Sequence, residues 1–177
     1  TNLQSAYTTS IGLAAFANLG DGKTQGVDLE LQWRTPVEGL NIAFVGNKNS
    51  SKFVNVIPEF ALANPRAGNG ESLFNTPPYN ARIDVDYTRP LSDGWELAAN
   101  ASASLNATAK NQDPTIPLVE DYSQYDASLA LRRDHYEIRL YGDNLSDLRG
   151  PTTANGATLL SGPRPRTIGV QFRFNTN

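Results

Sequence analysis

Apolar and polar side chains alternate residue by residue along most of this chain. One such run places Val27, Leu29, Leu31 and Trp33 opposite Asp28, Glu30, Gln32 and Arg34. A period of two puts the two sets on opposite faces of a β-strand. The same alternation predicts strands in residues 81–88, 95–108, 125–132, 136–141 and 167–174, and in less regular form in residues 3–8, 13–26 and from residue 40 onward. No segment shows a persuasive helical period, so we predict an all-β antiparallel protein of about eight strands.

The connections between these strands alternate between short and long. Short connections, rich in Gly, Pro and Asp, are predicted at residues 35–39, 90–94 and 133–134. Long connections are predicted at residues 54–77, 109–122 and 146–164. Short turns at one end and long loops at the other describe an up-and-down meander, the asymmetry of bacterial outer-membrane barrels.

Alternation alone does not distinguish a membrane barrel from a soluble β-sandwich, because only the direction of the apolar face differs. The aromatic residues favour the barrel. Five of them share the apolar face and lie near a short turn or the chain end, namely Trp33, Tyr87, Trp95, Tyr136 and Phe174. Amphipathic rings prefer the membrane interface, so this is where an aromatic girdle is expected. The opposite face carries charges that suit a wetted lumen better than a dry core.

Composition narrows the possible classes further. Of the 177 residues, 39% are hydrophobic and 19% charged, which argues against a disordered chain. With a formal charge of −3 and no basic block, the chain is a poor nucleic-acid binder. It contains no cysteine, which excludes disulfides and thiolate metal sites, and no apolar run of 18 residues. It also contains no methionine, so we expect a processed, engineered or fragmentary chain.

Three segments resemble those of a known family. Gly26-Val27-Asp28-Leu29-Glu30-Leu31, preceded by Asn18-Leu19-Gly20, is similar to a stretch of TonB-dependent outer-membrane receptors. Asp143-Asn144-Leu145-Ser146-Asp147 resembles the end of their penultimate strand. Pro165-Arg166-Thr167-Ile168-Gly169-Val170, followed by Gln171-Phe172-Arg173-Phe174, resembles their final strand. The order and spacing match the C-terminal third of such a receptor.

The resemblance implies that residues 1–177 form the C-terminal segment of a transmembrane β-barrel of about 22 strands. It implies active transport of a scarce small-molecule nutrient complex, of the siderophore-iron, cobalamin, haem or oligosaccharide class, across the bacterial outer membrane. The implied partners are outer-membrane lipid, the remaining barrel strands, a plug domain, and TonB through an N-terminal region. Neither the plug domain nor the TonB box is recognised in this sequence, and no cofactor is expected.

Ligand recognition in such a receptor falls to the long loops and the upper lumen wall. The candidate ligand-binding residues are Arg66, Asn69, Glu71, Asp121, Tyr122 and Asn155. An alternative is a self-contained eight-stranded outer-membrane barrel with a structural or binding role. That alternative requires the first strand to pair with the strand that contains Ile168 and Phe174.

Signals of catalysis are weak. Residues 17–24 match a relaxed phosphate-loop pattern, but that mechanism needs a following helix and the sequence here predicts a strand. His135 is the only histidine and is placed beside a tight turn. Asp84 and Asp86 share a face, which is more typical of a cross-strand charge ladder than of a carboxylate pair in catalysis. Residues Asp113, Glu120 and Asp121 lack the ordered spacing of a cation site. We therefore expect no enzyme, no catalytic residue and no metal site.

Overall fold

A computed structural model describes residues 2–8, 13–64, 66–110, 120–150, 152–154 and 160–175. Its main feature is one eight-stranded antiparallel sheet. The sheet contains β1 Asn2–Thr8, β2 Ala14–Arg34, β3 Leu40–Val54, β4 Tyr79–Pro90, β5 Glu96–Asn106, β6 Tyr122–Arg133, β7 Tyr136–Asp143 and β10 Thr167–Phe174. The other elements are the helix α1 Pro58–Ala63, a 3₁₀ turn Ser92–Gly94, and a small ribbon of β8 Thr153–Ala154 and β9 Leu160–Ser161. No helix among these residues is long and apolar enough to cross a membrane.

The strands follow one another in sequence order across the sheet. Neighbours pair antiparallel in the order β1-β2-β3-β4-β5-β6-β7-β10, which confirms the predicted meander. In the described part of the chain β1 pairs only with β2, and β10 only with β7. The β1–β10 pair that a closed eight-stranded barrel requires is not formed there, so the topology does not support the self-contained alternative.

The predicted strand at the start of the chain is confirmed, and it explains the glycine-rich phosphate-loop pattern. β2 runs without interruption from Ala14 to Arg34 through that pattern, so no helix follows the glycines. The β1–β2 register shifts between Leu3 and Gln4, opposite Gly20 and Asn18. Gly20 has φ of +132°, a backbone conformation that side-chain-bearing residues rarely adopt. These glycines therefore shape an irregularity in a strand rather than a phosphate site.

The long β3–β4 loop contains the six-residue helix α1, which the sequence pattern does not predict. Pro58 opens the helix, a position where its missing N–H costs nothing. Six residues are fewer than two turns, too short for a helical period to be visible. The loop folds over the end of β3, where Phe53 is 4% exposed and its ring meets Phe74 at 5.0 Å between centroids. Ala67 is fully buried in the same loop.

The apolar face of the sheet does not close on itself to form a core. Leu29, Leu129 and Val170 keep 48%, 47% and 56% of their surface exposed, and Val85 is only partly buried. A soluble sandwich would bring these four side chains together in a dry centre. Ser102 and Ala130 are buried instead, and both are small residues on the polar face. The arrangement is that of a barrel wall with its apolar face directed outward.

Candidate functional site

All the long loops lie at one end of the sheet, and two of them are joined there by an ion pair. The Glu71 carboxylate in the β3–β4 loop accepts from the Lys110 ammonium in the β5–β6 loop at 2.6 Å. The backbone N–H of Asn75 donates to the Lys110 carbonyl at 2.7 Å, so side chain and backbone tie the same loops. The hydrogen bond from Lys110, aided by its charge, lowers the pKa of Glu71.

Asp121 joins the two ends of the β5–β6 loop. Its carboxylate accepts the Thr108 backbone N–H at 2.5 Å and the Thr108 hydroxyl at 2.6 Å. The Tyr79 hydroxyl donates to its other oxygen at 2.9 Å. These bonds to Thr108, and then the bond from Tyr79, lower the pKa of Asp121. The negative charge therefore holds the loop onto the start of β4.

The remaining predicted ligand-binding residues are spread over the same end. The Asn69 side-chain oxygen accepts the Val56 N–H at 2.8 Å, which closes the β3–β4 loop across its base. Arg66 is half-buried in that loop, and Tyr122 is half-buried as the first residue of β6. Asn155 lies outside the described residues. The loop cluster thus contains Arg66, Asn69, Glu71 and Asp121 with Tyr122 beside them, and their role in binding stays a prediction.

Charged residues form a ladder across the polar face of the sheet, as the alternation predicts. Arg82 donates to both oxygens of Asp84, at 2.8 and 2.6 Å, and to the Ser104 hydroxyl on the next strand at 3.2 Å. The Asp86 carboxylate accepts from the Asn100 amide at 2.8 Å. Both aspartates are therefore occupied by neighbours on their own sheet, and the interpretation as a charge ladder is confirmed.

A denser ionic cluster lies on the same face, close to the short turns. Arg132 bridges two carboxylates, Glu137 at 2.7 Å and Glu96 at 3.2 Å. Glu137, whose side chain is 10% exposed, also faces Arg173 at 3.9 Å. Four adjacent strands contribute to this group, β5, β6, β7 and β10. The alternation along their strands puts Glu96, Arg132 and Arg173 on the polar face, but it does not predict the cluster, because the cluster depends on the cross-strand register.

The buried Asn144 organises the last long loop, and its importance was visible in the sequence only as part of a resemblance. Asn144 is 2% exposed and has a φ of +50°. Its amide donates to the carbonyls of Leu148 at 3.0 Å and Arg164 at 2.9 Å, and its oxygen accepts from the Leu148 N–H at 2.9 Å and from Ser146 at 3.2 Å. The backbone N–H of Asn144 donates to Asp126 at 2.8 Å, which ties the loop to β6.

The described ranges contain no cluster of metal-ligating side chains, and the only histidine lies at the short-turn end. No three His, Asp or Glu side chains there lie close enough together to hold a metal ion. His135 lies in the tight turn between β6 and β7, with its ring edge-on to Phe174 at 6.2 Å between centroids. Phe174 also contacts Tyr136 at 5.0 Å, so the histidine is part of an aromatic cluster at the short-turn end.

Two comparisons bear on the family. The model of the family described as TonB dependent receptor-like, beta-barrel, matches residues 1–145. The fold is similar to the crystal structure of the ferric yersiniabactin uptake receptor FyuA from Yersinia pestis, with a TM-score of 0.67 and 23% identity. The match covers 90% of this chain and 24% of that chain, so the chain spans about a quarter of the receptor's length. The matched family is one of receptor barrels rather than enzymes. The chain therefore belongs to the TonB-dependent receptor-like β-barrel family.

Proposed function

We propose that this chain is the C-terminal part of the barrel wall of an outer-membrane receptor that takes up a scarce nutrient complex with energy coupled through TonB. The observation that carries the proposal is the open eight-stranded meander, with an apolar face, a charged face, and its long loops at one end. An open sheet needs further strands at both edges. We propose that the rest of the same receptor supplies them, together with a plug domain inside the barrel.

The dimensions of the apolar face support a membrane position. On β4 the outward side chains run from Tyr79 to Tyr87, with an aromatic ring at each end. Eight residue steps span about 26 Å along a strand, and a tilt of about 40° reduces this to about 20 Å of height. Outer-membrane barrels carry an apolar band about 25 Å tall between two aromatic girdles. The two tyrosines therefore mark the approximate limits of the lipid-facing band.

The charged face supports a water-filled interior. Arg82, Asp84, Asp86 and Asn100 pair with one another but remain partly or largely exposed on that side. Ionised groups of this density are stable next to water and costly in a dry core. They would provide a polar lining along which a solvated ligand passes once the plug moves.

The loop cluster supports a binding role at the outer end. Bonds such as Glu71–Lys110 and Asp121–Thr108 hold two long loops in a defined geometry. A preorganised loop pays less ordering entropy when it binds a ligand. We therefore place ligand contact on this end, with Arg66, Asn69 and Tyr122 as candidate contacts. The siderophore-iron, cobalamin, haem and oligosaccharide classes remain the candidate ligands.

The test uses the full-length receptor in a bacterial strain that lacks it. Accumulation of labelled ferric siderophores, haem, cobalamin and oligosaccharides is measured with and without a protonophore. The proposal expects one class to accumulate only with the receptor and only while the membrane is energised. Uptake that persists with the protonophore, or no receptor-dependent uptake of any class, would overturn it.

A pair of variants tests the loop assignment separately. We expect Arg66→Ala to weaken binding of the accumulated ligand to cells, because it removes a cation from the loop end. The matched control is Glu38→Ala in the opposite short turn, which should leave binding unchanged. Equal effects of the two substitutions would contradict the assignment of ligand contact to the long loops.

A further inference from the structure

Three of the four lysines in the chain lie together on the outward face of the β2–β3 hairpin. Lys23, Lys48 and Lys52 are all exposed, and the fourth, Lys110, is the one tied to Glu71. Lys23 and Lys52 are direct cross-strand partners, and Lys48 is opposite Val27. Because side chains alternate along a strand, Lys23 shares the face of Val27, Leu29 and Trp33. These three lysines, here called the lysine patch, therefore extend the lipid-facing surface.

No carboxylate in the described part of the chain forms an ion pair with the lysine patch. None of the three ammonium groups makes a side-chain hydrogen bond or ion pair there. Asp21, two residues from Lys23 on the same strand, accepts instead from the Asn55 amide at 3.3 Å. Two other carboxylates at this end, Glu71 and Asp121, are held by Lys110, Thr108 and Tyr79.

Two like charges directly across a strand pair are destabilising unless an anion lies between them. Lys23 and Lys52 are such a pair, with Cα atoms about 5 Å apart by the geometry of antiparallel strands. A phosphate group placed between them would accept from both ammonium groups. The patch therefore has the charge and the spacing of an anion-binding surface.

The height of the patch indicates where that anion is. Trp33, at the short-turn end of β2, is ten residue steps from Lys23, which corresponds to about 33 Å along the strand and about 25 Å of height. Lys48 lies opposite Val27, about 15 Å above Trp33 by the same measure. On its other side Lys48 pairs with Tyr79, which marks the upper limit of the lipid-facing band. Lys48 therefore lies at the upper membrane interface, and Lys23 and Lys52 lie above it. The flexible side chain of Lys48 lets its ammonium group reach toward the lipid headgroups.

We propose that the lysine patch binds the phosphate groups of anionic lipid headgroups in the leaflet nearest the long loops. The inference rests on the membrane position of the barrel but is independent of which nutrient the receptor transports. It assigns a lipid-binding role to a β-hairpin surface that contributes neither to the lumen nor to the loop cluster. Electrostatic contact with an anionic surface strengthens association by about fivefold per lysine, or about a hundredfold for three.

The test compares full-length receptors in neutral detergent micelles that contain phosphatidylcholine and phosphatidic acid in equal amounts. Native mass spectrometry measures the bound phosphatidic acid relative to bound phosphatidylcholine. We expect enrichment of the phosphate monoester lipid by the unmodified receptor and a loss of about a hundredfold in its association constant for the triple variant Lys23→Gln, Lys48→Gln, Lys52→Gln.

Two further variants and one competitor make the result specific. The triple Lys→Arg variant keeps the charges and should keep the enrichment, and Lys110→Gln should keep it because that lysine lies outside the patch. An excess of inorganic phosphate should leave the bound lipid in place. Equal enrichment by the unmodified receptor and the triple Gln variant, or displacement by inorganic phosphate, would overturn the proposal, whatever the uptake assay shows.

Discussion

Replacement of Asn144 by alanine should loosen the last long loop while leaving the barrel strands intact. The side chain makes four hydrogen bonds in a buried setting, two as donor and two as acceptor. At about 1 kcal/mol each, their loss removes about 4 kcal/mol from the free energy of loop opening. The left-handed backbone at Asn144 adds about 1 kcal/mol, because alanine tolerates that conformation less well.

Hydrogen exchange in the full-length receptor measures this effect at one amide. The Leu148 N–H donates directly to the Asn144 side chain, so its exchange should accelerate by about five-thousandfold in Asn144→Ala, equivalent to about 5 kcal/mol. Asn144→Gly separates the two contributions, since glycine removes the hydrogen bonds but accepts the backbone conformation. Unchanged exchange at Leu148, or acceleration spread equally over the strands, would refute the assignment of Asn144 as the local organiser.

Three further predictions follow from the turn, the loop pair and the ionic cluster. Gly39→Ala should lower barrel stability by at least ~1 kcal/mol, because Gly39 has φ of +80° and an added methyl group would meet the Thr88 carbonyl. An unchanged midpoint in urea unfolding would contradict this. The Glu71–Lys110 ion pair should be fully formed above the unfolded pKa of Glu71, near 4.5, and should be lost as the pH falls through the lower folded pKa. Proteolysis of the loops should therefore rise only in acid, and Lys110→Gln should abolish that pH dependence. Arg132→Gln should destabilise the barrel more than the double variant Arg132→Gln, Glu137→Gln, because the single variant leaves the Glu137 carboxylate, which is 10% exposed, without its main partner. A double variant less stable than the single one would contradict a stabilising role for this ionic cluster.

The alternating pattern predicted the eight strands and their order because each strand has two chemically different faces. Trp33 and Phe174 lie on the outward face near the short turns, as their parity predicts. Register and loop contacts could not be predicted in the same way. The bridge from Arg132 to Glu96 depends on which residues stand opposite each other, a property of the pairing rather than of either strand.

The sequence predicted which end of the sheet carries the long loops, but it did not predict the contacts that hold those loops in place. Glu71 and Asp121 were identified as candidate ligand contacts because they are polar loop residues, and the structure shows that each also holds a loop in place. The partners Lys110 and Thr108 lie 39 and 13 residues away in sequence, which no local pattern reveals. Asn144 was found only through a family motif, since an isolated asparagine gives no sign of being buried.

In the proposed receptor, the apolar face of the sheet contacts lipid while the charged face contacts water. Because the chain contains no cysteine, single cysteines introduced at residues 126–131 of β6 can carry spin labels in the full-length receptor within a bilayer. Collisions with oxygen report lipid contact, and collisions with a water-soluble nickel complex report contact with water. We expect oxygen accessibility at 127, 129 and 131 and nickel accessibility at 126 and 128, the two even positions that are not buried. Protection of the odd positions from both reagents would place them in a dry core and contradict it.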